Sequence, residues 1–151
     1  PDGTVATTAL ANESIEIDVG TLDSIYLLDG FYDKEALPEA PSMRWTSDIA
    51  TVEFTSLPAE EVNIEIVAMR YQPEGVAAAP VDLWFDNQSI GTFMPTDQWQ
   101  TFSFSAPVDP TDGYSTLRFV TDSFNPAAIG INNDTRDLGF LIDRIRVEDA
   151  Q

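Results

Sequence analysis

The sequence predicts an all-β chain folded as an antiparallel β-sandwich of about 8–10 strands, with almost no helix. Three observations carry this. Apolar and polar residues alternate with period two through most segments, and no stretch repeats helical spacing for three turns. Turn residues separate those segments at intervals of about 8–12 residues, the spacing expected of stacked antiparallel strands. At 151 residues the chain suits a single domain.

Residues 1–13 lack a firm period and read as a flexible N-terminal segment, or as a donor strand whose Val5 and Leu10 dock on a neighbouring sandwich. Residues 14–151 form the sandwich itself. Ile15, Ile17 and Val19 face inward on the first strand, with Glu16 and Asp18 outward. Asp23 to Phe31 is the second strand, and a Pro-containing acidic loop follows from Asp33 to Pro41. Met43 to Thr46 and Ile49 to Leu57 read as a short and a longer strand, closed by Pro58. Val62, Ile64, Ile66 and Ala68 mark the next strand, and the Ala- and Pro-rich stretch from Gln72 to Pro80 is a loop.

Val81 to Phe104 reads as three consecutive antiparallel strands. Val81, Leu83 and Phe85 share the inner face, Asn87-Gln88 makes the first hairpin, and Pro95-Thr96-Asp97 makes the second reversal. Phe102 and Phe104 then point inward. Pro107 to Gly113 is a turn by its residue types. Tyr114 to Thr121 is a strand, Ser123 to Arg136 a long loop, and Leu138 to Glu148 the closing strand. There Leu141, Asp143, Ile145 and Val147 are expected on one face.

Composition excludes several functions. Seven basic against 26 acidic residues give 7 − 26 = −19, so neither nucleic acid nor an anionic membrane surface finds a basic footprint. The chain has no Cys and no His, which removes thiol nucleophiles, imidazole bases and Ser-His-Asp triads. No run of 18 apolar residues occurs, so no membrane insertion is expected, and no signal peptide is evident within the sequence. Asn12, Asn87 and Asn133 each begin an Asn-x-Ser/Thr sequon, which points to an exported glycoprotein at the cell surface or outside the cell.

Several short motifs resemble known domains. Ile17-Asp18-Val19-Gly20, Gly30-Phe31 with Glu35, Arg44-Trp45-Thr46, Trp99-Gln100-Thr101-Phe102 and Arg136-Asp137-Leu138-Gly139 are similar to the extracytoplasmic β-sandwich domains appended to bacterial membrane glycosyltransferases. The last strand, Leu141 to Val147, is similar to the closing strand of jelly-roll carbohydrate-binding modules with a galactose-binding-like fold. The resemblance implies a jelly roll, a sugar-rich surface setting and no catalytic residues. Gln88 stands where the central hairpin usually has Gly.

Candidate sites follow. Trp84 projects between Asp82 and Asp86, an aromatic ring flanked by carboxylates, which suits a sugar's C–H face and its hydroxyls. The other reading has Trp84 covered by a loop or a second subunit. Tyr71 and Arg70, beside a loop, are further ligand candidates, whereas Trp45 and Trp99 read as packing. Glu35 and Arg44 are expected to pair across the acidic loop. Asp18 and Asp143 meet if the first and last strands pair. With Asp134 or Asn132 they would offer Ca²⁺ the oxygen ligands it takes, and the similar modules often carry a structural calcium near this junction.

The reading is thus a non-catalytic module that binds carbohydrate or a cell-surface protein. One alternative is a subunit that self-assembles into a filament or coat by donating its N-terminal strand. Another is a paired-carboxylate glycosidase, the enzyme class the residue inventory still permits.

Overall fold

The computed structural model describes residues 14–20, 23, 26–37, 40–55, 57, 59–71 and 73–150. Residues 1–13 lie outside that set, and with them the donor-strand expectation and the Asn12 sequon. The described residues form ten strands and no helix. These are β1 (Ser14–Asp18), β2 (Leu27–Phe31), β3 (Glu35–Leu37), β4 (Ala40–Thr55), β5 (Glu61–Met69), β6 (Val81–Phe85), β7 (Gln88–Phe93), β8 (Gln100–Pro107), β9 (Tyr114–Thr121) and β10 (Leu141–Asp149).

Hydrogen bonding follows one path, β7-β6-β9-β4-β10-β5-β8, with β1 joined to β10 and with β2 and β3 joined to β4. The path folds back on itself through the long β4. Its second half, Ile49 to Thr55, pairs with β9, whereas Arg44 and Trp45 pair with Ile142 and Leu141 of β10. One layer is therefore β7-β6-β9-β4-β2 and the other is β8-β5-β10-β1, all antiparallel. This is the expected sandwich of jelly-roll type.

Alternation decides what each layer buries. On β6, Val81, Leu83 and Phe85 are fully buried while Asp82 and Trp84 face out. On β5 and β10, Ile64, Ile66, Ile145 and Val147 fill the opposing face of the same core. Phe93, Phe119 and Phe140 interlock at its centre, with ring separations of 5.5 and 5.7 Å from Phe140. A second, smaller cluster of Met43, Trp45, Met69, Phe124, Leu138 and Leu141 packs separately.

Several sequence expectations are corrected by the strands. The reversal after β6 uses Asp86-Asn87, with φ of 48° and 67°, rather than Asn87-Gln88. A two-residue primed turn needs φ > 0 twice, and Asp and Asn are the non-glycine residues that tolerate it. The third strand of the supposed meander, β8, does not lie beside β7. It crosses to the other layer and pairs with β5, from Glu61↔Pro107 to Ala68↔Gln100. Phe102 and Phe104 still point inward and meet Phe93 across the core, at 4.6 and 5.8 Å.

The two strands expected between Met43 and Leu57 are the single strand β4. Finally, the β10–β5 register shifts between Ile142 and Arg144, so Asp143 occupies a bulge. Ile142 consequently joins Ile145 and Val147 in the main core, and Leu141 turns to the smaller cluster.

One ion pair ties the connection after β1 to β4. Asp23 is buried and its carboxylate accepts from Arg44 Nε at 2.7 Å, Arg44 Nη2 at 3.0 Å and the Gly20 N–H at 2.7 Å. Burial acts to raise the Asp23 carboxyl, but the Arg44 and Gly20 hydrogen bonds and the Arg44 charge outweigh it and hold it below the usual value. Arg44 Nη1 also donates to the Tyr32 carbonyl at 2.9 Å. The expected Glu35–Arg44 pair is thus replaced: Arg44 takes Asp23, and Glu35 takes Arg136.

Candidate functional site

The smaller cluster floors a cleft of about 210 Å³ at one end of the sandwich. Trp45 of β4 and Phe124 meet edge to face at 6.0 Å beneath it. Glu35 of β3, Tyr71 just beyond β5, and the loop leading to β10 supply the walls. Tyr71 keeps 56% of its surface exposed at the rim, whereas Trp45 keeps 8%.

The loop from 124 to 138 is tied by its own backbone. Phe124 and Leu138 exchange N–H···O bonds of 2.9 and 2.8 Å at its neck, and Ala127 N–H donates to the Asp134 carbonyl at 2.8 Å. Asn125 Nδ2 reaches the Thr135 carbonyl at 2.9 Å, so the loop is closed across its width as well. Below the neck, Gly139 N–H donates to the Thr46 carbonyl at 2.7 Å. A Cβ at Gly139 would collide with Thr46 Oγ1 and the Ser47 carbonyl, so only glycine lets the loop base seat on β4. Arg70, itself buried, donates to the Asp122 carbonyl at 3.0 Å and stacks 5.5 Å from the Phe124 ring, supporting the loop from behind. Burial lowers the Arg70 guanidinium, opposed by the Asp122 charge.

One side of the cleft is a charged triad. Arg136 Nε and Nη2 grip Asp134 at 3.0 and 2.7 Å, Nη1 reaches Glu35 Oε2 at 3.2 Å, and its face lies 5.2 Å from the Tyr32 ring. The Arg136 hydrogen bonds hold the Asp134 carboxyl below its usual range, and they raise the Arg136 guanidinium despite its partial burial. Asn132, which lines the cleft, accepts the Asp134 N–H on its Oδ1 at 2.7 Å, and its NH₂ donates to none of the described residues.

The expected site residues fall in three places. Tyr71 and Asp134 belong to this cleft. Trp84 and Asp82 lie on the outer face of β6, where Trp84 keeps 38% of its surface exposed and sits opposite Arg118 of β9 and Ser89 of β7. Asp82 Oδ1 accepts from Thr92 Oγ1 at 3.0 Å. Asp86, in the hairpin turn, is engaged by the β8–β9 connection and β9, its carboxylate accepting from Asp109 N, Ser115 Oγ and Thr116 N at 2.8–2.9 Å.

Asp18 and Asp143 are brought together by the β1–β10 pairing, in which Val19 N–H donates to the Asp143 carbonyl at 2.9 Å. Burial raises the Asp143 carboxyl, opposed by Arg144 and reinforced by Asp18. Asp134 stays with Arg136, so a shell of three carboxylates does not assemble among the described residues. Asn87 at the hairpin tip and Asn133 in the loop are exposed, as a glycan acceptor must be. Sequence reasoning passed over Trp45, Glu35 and Arg136 as cleft residues. The Asn132-Asn133-Asp134 run two residues before Arg136 was the available signal.

No family model matches the sequence, and no curated protein matches it. Solved structures share the fold. The chain superposes on a β-(1,4)-mannanase carrying a family 35 carbohydrate-binding module from Podospora anserina with TM-score 0.59 and 13% identity, covering 93% of this chain and 28% of that one. A family 35 carbohydrate-binding module from an environmental isolate gives TM-score 0.51 and 18% identity, covering 82% of this chain and 89% of that one. A family 36 module of a multidomain xylanase from the hindgut metagenome of Trinervitermes trinervoides gives 0.52 and 12%, covering 92% and 99%. At such identities the likeness is one of fold, and the chain spans little more than a quarter of the mannanase. The class defined is a jelly-roll β-sandwich of the architecture that carbohydrate-binding modules use. Among the described residues, no helix is long and apolar enough to cross a membrane.

Proposed function

We propose that this protein is a non-catalytic carbohydrate-binding module, working outside the cell or at its surface, that takes a glycan in the loop-end cleft. The observation that carries the reading is the Tyr71 ring, exposed at the rim of a pre-tied cleft whose floor is Trp45 and whose wall offers carboxylates and an amide. A sugar presents an apolar C–H face to a ring and hydroxyls to polar groups at its edge, and this surface provides both. The modules that share the fold support the reading. The grip of Arg136 on Asp134 through two nitrogens commits that carboxylate to the loop, which supports binding over a role as catalytic base or nucleophile. The exposed Asn87 and Asn133 sequons fit an exported setting.

Asp18 and Asp143 fit a structural Ca²⁺ in part. Two hard oxygen ligands adjoin, and a cation would relieve the raised Asp143 carboxyl, with backbone carbonyls left to complete the shell. A melting temperature that rises with Ca²⁺ and falls with chelator is the corresponding outcome; indifference to both removes the ion.

A second binding surface is proposed at Trp84, favoured by its exposed ring beside Asp82 and Arg118 on the outer sheet face. Glycan-array screening followed by calorimetry of Tyr71→Ala and Trp84→Ala separates the two. The cleft reading expects Tyr71→Ala to lose about tenfold in affinity, worth ~1.4 kcal/mol. Equal binding by Tyr71→Ala and loss by Trp84→Ala would move the site to the sheet. Release of reducing sugar from any bound glycan would overturn the non-catalytic assignment.

A further inference from the structure

We infer that the cleft selects neutral, hydroxyl-rich glycans and turns away those bearing uronate groups, a selectivity that rests on the glycan-binding reading above. The argument begins with the cleft's cation. Arg136 is the one basic side chain among the described lining residues, and three of its five N–H groups are already held by carboxylates. Two of its nitrogens grip Asp134 at 2.7–3.2 Å, the third reaches Glu35 at 3.2 Å, and one face is covered by Tyr32. A uronate could take the paired Nε/Nη2 edge only by displacing a carboxylate held there by charge-assisted bonds from two nitrogens at once, the geometry in which an arginine holds an anion most firmly.

The charge balance points the same way. Arg136, Asp134 and Glu35 sum to +1 − 2 = −1, within a chain of net charge −19. An anionic sugar therefore meets repulsion at the site and on approach. Hydroxyls meet complementary partners instead. Glu35 Oε1 accepts no hydrogen bond from the described residues, the Asn132 NH₂ donates to none, and two Arg136 N–H groups remain, so the wall offers both an open acceptor and open donors. A sugar hydroxyl both donates and accepts, and satisfies either. A carboxylate only accepts, and leaves Glu35 facing a like charge.

The test titrates the intact protein with β-1,4-linked xylo-, manno- and gluco-hexaose and with oligogalacturonate and oligoglucuronate of matched length, at two salt concentrations. The inference expects neutral oligosaccharides to bind at least tenfold more tightly than the uronates, with the gap narrowing in high salt. Glu35→Gln, which brings the triad to zero charge while keeping an oxygen that can accept from Arg136, is expected to raise the uronate-to-neutral affinity ratio about tenfold. Uronates binding as tightly as neutral sugars, or a ratio unmoved in Glu35→Gln, would overturn the selectivity while leaving glycan binding standing. Millimolar indifference to every oligosaccharide would overturn glycan binding, and the selectivity with it.

Discussion

Asp23 supplies the sharpest test of how the sandwich holds its first strand. Its side chain is 3% exposed and the Arg44 side chain 21%, joined by two hydrogen bonds of 2.7 and 3.0 Å. Asp23→Ala leaves a largely buried guanidinium without its carboxylate and orphans the Gly20 N–H. Breaking one side of such a pair costs about 3–5 kcal/mol, and the residual exposure of Arg44 puts this case near the low end. At about 3 kcal/mol, a domain of this size loses ~6–12 °C in melting temperature.

The sign with pH follows from the direction of the shift. Asp23 titrates below its unfolded value, so its contribution is full above about pH 4 and is lost as the pH falls through the folded pKa. Melts of wild type and Asp23→Ala should therefore differ most near neutrality and converge progressively below about pH 4. Replacing both partners, Asp23→Leu with Arg44→Met, should recover much of the loss, because no uncompensated charge remains. A difference under about 2 °C at pH 7, or a gap that widens on acidification, would refute the reasoning.

Two further outcomes are expected. Gly139→Ala forces a methyl against Thr46 Oγ1 and the Ser47 carbonyl and should cost about 2 kcal/mol, read as a fall of ~4–8 °C by differential scanning fluorimetry. Asp143→Asn should instead raise the melting temperature by about 2 °C at pH 7 in chelator, because burial opposes the charged carboxyl. That gain should vanish as acid protonates the wild-type group. Added Ca²⁺ should reverse its sign if the ion sits on Asp18 and Asp143.

Where one face of a strand is buried and the other wet, the alternation was enough to read it. Tyr114–Thr121 falls where its pattern placed it, and Val81, Leu83 and Phe85 are all inside. Pairing was less legible, because an inward-facing strand has the same pattern whichever layer it joins, and β8 joined the opposite layer from β7. The Asp143 bulge was equally hidden, since one inserted residue inverts the alternation without changing composition.

The cleft was the least legible feature. Tyr71 could be singled out because a strand visibly ends beside it. Arg136 is far from Trp45 and Glu35 in sequence, however, and the three meet only through the β3–β4 and β4–β10 pairings and the closed 124–138 loop. The ion-pair partners were misassigned for the same reason: Arg44 finds Asp23 and Glu35 finds Arg136 through tertiary geometry, where sequence proximity suggested each other.

The central claim, that the loop-end cleft is where glycan binds, is tested most directly by mapping backbone amide shifts of ¹⁵N-labelled protein during titration with the tightest neutral oligosaccharide. The account predicts perturbations centred on Tyr71, Phe124, Asn132 and Leu138. Perturbations centred on Trp84 and Arg118, with those four unmoved, would contradict it.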